Sequence, residues 1–165
     1  MHKKREFSVC ASSNLLETNK CWDYAKDLSE LMFESYGDYA SALFKRDDKG
    51  LIMVLFLEDL VRNEDTNLNA LKKRFAVFLE QLRHRAIATT QPIIVCLGRD
   101  SDKNIIRQVK SESVLTKFYE WFFEQLKDLR DQFKHFLLIP LHEIFHFYGV
   151  RNMVSDRNWY YARCR

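Results

Sequence analysis

The amino-acid sequence predicts an α/β domain built on a mainly parallel sheet, and three observations predict it. Unbroken apolar runs, Leu51 to Leu57, Ile93 to Leu97 and Phe136 to Ile139, have the pattern of strands buried on both faces. Between them lie longer stretches whose apolar residues recur at three- and four-residue steps, the stripe of an amphipathic helix. The two patterns alternate along the chain, as they do in consecutive βαβ units. With 4 Gly and 2 Pro in 165 residues there is little room for a turn-rich all-β fold, and 47% hydrophobic residues fill one core, so residues 1–165 read as a single domain.

Taken in order, Glu6 to Ala11 is the first strand, and Ser12-Ser13-Asn14 a polar turn. Cys21, Tyr24, Ala25, Leu28, Leu31 and Met32 then keep helical spacing, which predicts a first helix over this stretch. Tyr36 to Phe44 fits either an edge strand or a helical extension, and Asp47 to Gly50 is a turn. After the strand at 51–57, Leu68, Leu71, Phe75, Phe78, Leu79, Leu82 and Ala86 mark a second long helix. The run from Pro92 to Gly98 is expected in the middle of the sheet, with a polar, basic loop from Arg99 to Lys103 at its carboxyl end. A third helix is marked by Val114, Phe118, Trp121, Phe122, Leu126 and Leu129, with Ser113 as its N-cap. The last strand, 135–139, is expected to be buried, with Pro140 in the first turn of a short helix.

No apolar run is long enough to span a bilayer, and the basic start is not followed by a signal-peptide core. Cys10, Cys21, Cys96 and Cys164 show no CxxC pairing, which fits reduced thiols in a cytoplasmic protein. The net charge is only +3, but it is uneven: Lys3, Lys4 and Arg5 make the start basic, and Arg151, Arg157, Arg163 and Arg165 do the same at the other end. Basic ends on a near-neutral body predict an anionic partner.

Two motifs bear on chemistry. His142-Glu143-Ile144-Phe145-His146 matches H-E-x-x-H, which holds zinc through its imidazoles and uses the Glu as general base. The position of a third His is Asn152, and the one acid left downstream is Asp156, so no metal and no cofactor is expected and the segment reads as a helix packed on the sheet. Ser12 and Ser13 follow the first strand, where a nucleophile would need a base and oxyanion donors, and where a serine alone is more often a helix cap.

The order of elements resembles the SGNH (GDSL-like) hydrolases. Ala11 to Leu15 is similar to their G-D-S-x-L block, with Ser13 at the nucleophile position; Phe56 to Leu60 stands where G-x-N-D-L falls, and Asp156 to Trp159 where D-x-x-H falls. The resemblance implies a three-layer α/β/α sandwich. It also implies lost catalysis, because Phe56 and Glu58 replace the oxyanion Gly and Asn, and Trp159 replaces the base. A degenerate SGNH-like domain with basic ends is similar to the OSK domain family of insect germ-plasm proteins, which implies a non-enzymatic RNA-binding role in a cytoplasmic ribonucleoprotein assembly, with other granule proteins as partners. The alternatives are a zinc hydrolase using His142, Glu143 and His146, and a serine esterase using Ser13.

The expected RNA contacts are Lys3, Lys4 and Arg5; Arg99, Lys103, Arg107 and Lys110 after the 92–98 strand; and Arg151, Arg157, Arg163 and Arg165, with Tyr160 beside them to stack unpaired bases.

Overall fold

The computed structural model describes residues 4–12, 27–35, 37–44, 48–61, 67–98, 114–141, 143 and 144. Five strands form one all-parallel sheet: β1 (Arg5–Ala11), β2 (Ser29–Phe33), β3 (Gly50–Phe56), β4 (Ile93–Gly98) and β5 (Phe136–Pro140), in the order β2-β1-β3-β4-β5. Register follows the alternation of side chains. Phe7 lies opposite Gly50, Leu51 opposite Ile93, and Ile93 opposite Phe136. Four helices are described: α1 (Tyr39–Phe44), α2 (Leu57–Leu60), α3 (Leu68–Ala88) and α4 (Val114–Gln132).

One face of the sheet, from Cys10 through Leu51, Met53, Leu55, Ile93, Val95 and Leu97 to Phe136, is buried with the inner stripes of α3 and α4. Phe75, Phe118 and Phe122 stack where the two helices meet, with centroids 4.8–5.8 Å apart. The opposite face is covered as well at β1, where Val9 is 0% exposed. The architecture is therefore the three-layer α/β arrangement. Asn67 caps α3 by accepting from the Asn69 and Ala70 amides at 2.9 and 3.2 Å. At the other end of α3 the buried Arg85 guanidinium donates to the Leu43 and Lys49 carbonyls, tying α1 to the start of β3.

Four expectations need correction. Leu31 and Met32 belong to strand β2, not to a helix: pairing with β1 satisfies their backbone, and this tertiary gain outweighs the helical spacing. The 92–98 strand is internal, but β3 is the central one. The last strand is an edge, with Leu137 49% exposed, so it is buried on one face only. Pro140 ends that strand instead of opening a helix, and Ser113 and residues 13–26 lie outside the described residues. The ambiguous stretch resolves as helix α1.

Candidate functional site at the carboxyl edge

The strand order reverses direction between β1 and β3. In open α/β sheets the crevice outside the carboxyl ends at such a switch point receives the ligand. Its β2–β1 side is closed by hydrogen bonds within the protein. The Glu34 amide donates to the Val9 carbonyl at 2.9 Å, the Gly37 amide to Ala11 at 3.3 Å and the Ser12 amide to Val54 at 2.9 Å. The buried Ser12 hydroxyl accepts from the Phe56 amide at 2.7 Å, pinning β1 to β3. Gly37 makes its turn with a φ of 71°, which glycine adopts without strain.

This side is also acidic. The Cys10 thiol is pushed up to about 12, first by burial and then by the carboxylates of Asp38 and Glu34. Asp38 is at the same time the cap of α1, its Oδ1 accepting from the Ser41 amide at 3.0 Å. Toward β4 the floor is apolar: the Phe56 ring lies against Gly98, where a Cβ would come within 2.6 Å of it.

Beyond β4 the charge changes sign. Helix α3 carries five Lys or Arg against one Glu. Its first turns stand at the carboxyl edge, because the Arg74 Nη2 donates to the Leu60 carbonyl just after β3 at 3.0 Å. Lys72 sits over the Trp121 ring at 5.6 Å from its centroid. Between α3 and α4 runs a groove lined by Ala76, Leu79, Glu80, Arg83, Trp121, Gln125 and Leu129. Sequence reasoning passed over Lys72, Lys73 and Arg83, because it weighed charge at the ends and loops and read α3 only for its apolar stripe. The run Lys72-Lys73-Arg74 was the available signal.

Few of the expected site residues lie within the described structure. Ser13, Asp156, Trp159, Lys3, Arg99, Lys103, Arg107, Lys110, Arg151, Arg157, Tyr160, Arg163 and Arg165 fall outside it, as do His142 and His146, while Glu143 is exposed. Phe56 is buried at the end of β3, and Glu58 lies in α2. Lys4 and Arg5, by contrast, stand at the amino end of β1, a strand length of about 20 Å from the carboxyl edge, so they do not converge on the loop after β4. No three His, Cys, Asp or Glu among the described residues are placed to hold a metal ion. No helix among them is long and apolar enough to cross a membrane.

No family model matches the chain, and no curated protein matches it. Among solved structures, the N-terminal part of the protein BF1531 from Bacteroides fragilis, containing a phosphatase domain and complexed with Mg, superposes with a TM-score of 0.68 at 13% identity. The match covers 97% of this chain and 46% of that one, so this chain spans less than half of the neighbour's length. The likeness gives the fold and does not select the SGNH family or the OSK domains. It also corrects the expectation of a non-enzyme: this architecture occurs in a phosphatase-containing protein, so the loss of a serine-hydrolase constellation is no ground for excluding catalysis. What the chain shares with its neighbour is a parallel three-layer α/β fold.

Proposed function

We propose that the domain binds RNA at the carboxyl edge of its sheet, chiefly through phosphate contacts on the β4 side of the switch point. The observation that carries this reading is the acidic, internally hydrogen-bonded β2–β1 side of that edge, set against the basic sequence that follows β4 and β5. On the β2–β1 side the amides of Glu34, Gly37 and Ser12 already donate to carbonyls, and the carboxylates of Glu34 and Asp38 repel an anion. On the other side β4 ends in Gly98 and the sequence continues through Arg99, Lys103, Arg107 and Lys110, while Arg151, Arg157, Arg163, Arg165 and Tyr160 follow β5. The resemblance to degenerate SGNH hydrolases and to OSK domains supports the same reading, with a cytoplasmic ribonucleoprotein assembly as the setting.

Titration of a labelled single-stranded oligoribonucleotide at increasing salt tests it. The affinity should fall with a slope near −0.7 per phosphate contacted, and Arg157→Ala, Arg163→Ala and Arg165→Ala together should lower both affinity and slope. Absence of binding at low salt would end the proposal.

A second reading is favoured by the phosphatase-containing neighbour: the same crevice hydrolyses a phosphate ester. Asp59 lies in α2, the helix that follows β3 directly, and is the acid tested first. The described residues do not complete a magnesium site, so no step is assigned to a metal. Phosphate release from p-nitrophenyl phosphate, measured with and without magnesium, decides this reading: turnover lost in Asp59→Asn supports it, and none in the parent refutes it.

A further inference from the structure

We infer that the groove between α3 and α4 is a binding site for an unpaired nucleotide of single-stranded RNA, with Trp121 as its stacking surface and Lys72, Lys73 and Arg83 as its phosphate contacts. The inference rests on the RNA reading above and gives it a place that the basic loop and the chain ends do not.

An apolar base and a charged backbone need two things side by side, a flat ring and cations within reach of the phosphates. The groove has both. Trp121 is half-buried against Phe118, at 5.7 Å between centroids, which fixes the indole plane while its remaining surface lines the groove. Lys72 lies over the ring at 5.6 Å, so a base that stacks on this face takes the place of its ammonium, and the flexible lysine then meets the adjoining phosphate. Lys73, the next residue, is exposed. Arg83, two to three turns further along α3, is oriented by Gln132 at 3.0 Å, and a guanidinium with five N–H groups has donors to spare after one such bond. Gln125 lines the groove and offers both a donor and an acceptor to a base edge. Glu80 is the one acid in the lining, and it lies 3.5 Å from His84. The lining balances Arg83 against Glu80, and Lys72 and Lys73 in the preceding turn of α3 add two positive charges, so charge complementarity favours an anion with an aromatic part.

The placement also fits the rest of the edge. Because Arg74 fastens the first turns of α3 to Leu60, the Lys72 end of the groove opens at the carboxyl edge. A strand bound at that edge reaches the groove without crossing the acidic β2–β1 side.

The test uses the whole chain and a labelled twelve-residue oligouridylate, read by fluorescence anisotropy and by ultraviolet cross-linking with peptide mapping. Trp121→Leu keeps an apolar side chain against Phe118 but removes the ring; it should weaken binding by about five- to 150-fold with little change in salt slope. Lys72→Ala, Lys73→Ala and Arg83→Ala together should lower the slope by up to about 2, at 0.7 per phosphate. In the parent the cross-link should map to residues 72–83 or 121–125. If the oligouridylate binds the parent but both variants bind equally well and the cross-link falls elsewhere, the groove is not the site, although RNA binding stands. If the parent binds no RNA at low salt, both proposals fall.

Discussion

The two sides of the carboxyl edge are made from similar elements but leave different groups available. Next to β1 and β2, backbone amides and the Ser12 hydroxyl are consumed in holding strand ends together, and the charges there are the carboxylates of Glu34 and Asp38. Along α3 and α4, aromatic packing holds the helices together; Arg85 is spent on the Leu43 and Lys49 carbonyls, Arg74 meets Leu60 and Arg83 meets Gln132, while Lys72 lies over the Trp121 ring beside the exposed Lys73. Net charge does not show this difference, because it depends on which polar groups the fold itself employs.

The largest expected effect breaks the groove side. Phe122 is fully buried among Phe75, Phe78 and Phe118, so Phe122→Ala should cost about 3–5 kcal/mol by urea denaturation. A loss below about 1 kcal/mol would show that the ring stack does not hold α3 against α4. The next effect concerns the closed side. Ser12→Ala leaves the buried Phe56 amide without its acceptor, for about 1–3 kcal/mol, while RNA affinity of the folded protein should not change. Gly98→Ala drives a methyl into the Phe56 ring and should cost a similar amount, part of which Phe56→Leu in the same chain restores.

A pH titration sharpens the comparison further. The Cys10 thiol is raised from 9.0 to about 12 in the folded protein and the Cys96 thiol to about 11, both chiefly by burial. Above pH 9 the unfolded chain releases these protons and the folded one retains them, so stability should be flat below pH 9 and fall between 9 and about 12. Cys10→Ala with Cys96→Ala should remove much of that slope, and an unchanged slope would assign it to other groups. The smallest effect tests the repulsion directly. Asp38→Asn keeps an acceptor for the Ser41 amide but removes the charge; with Glu34→Gln it should tighten RNA by about 0.5 kcal/mol at low salt and by less at high salt. Weaker binding would place the phosphates on the acidic side after all.

How much was legible varies by element. Runs such as Leu51 to Leu57 and Ile93 to Leu97 predicted their strands to within a residue, Leu57 opening α2 instead, because a strand buried on both faces needs apolar residues at every position. The long stripes of α3 and α4 predicted their helices for the corresponding reason. Strand β2 was misread because its five residues carry too short a pattern to separate a period of 2 from one of 3.6, and only its partner in space decides.

For the proposed site, the sequence located the carboxyl ends of the strands, since a parallel sheet brings them all to one edge. It could not order the strands, and the order alone puts the switch point between β1 and β3. It could not show that Lys4 and Arg5 stand at the opposite edge from the loop after β4, because distance along a strand becomes distance across the fold only once the strands are paired. Nor could it join Lys72 to Trp121, 49 residues apart. Composition and periodicity are local quantities and determine the elements; the meeting of a cation with an indole across two helices is long-range packing, and the tertiary structure alone decided it.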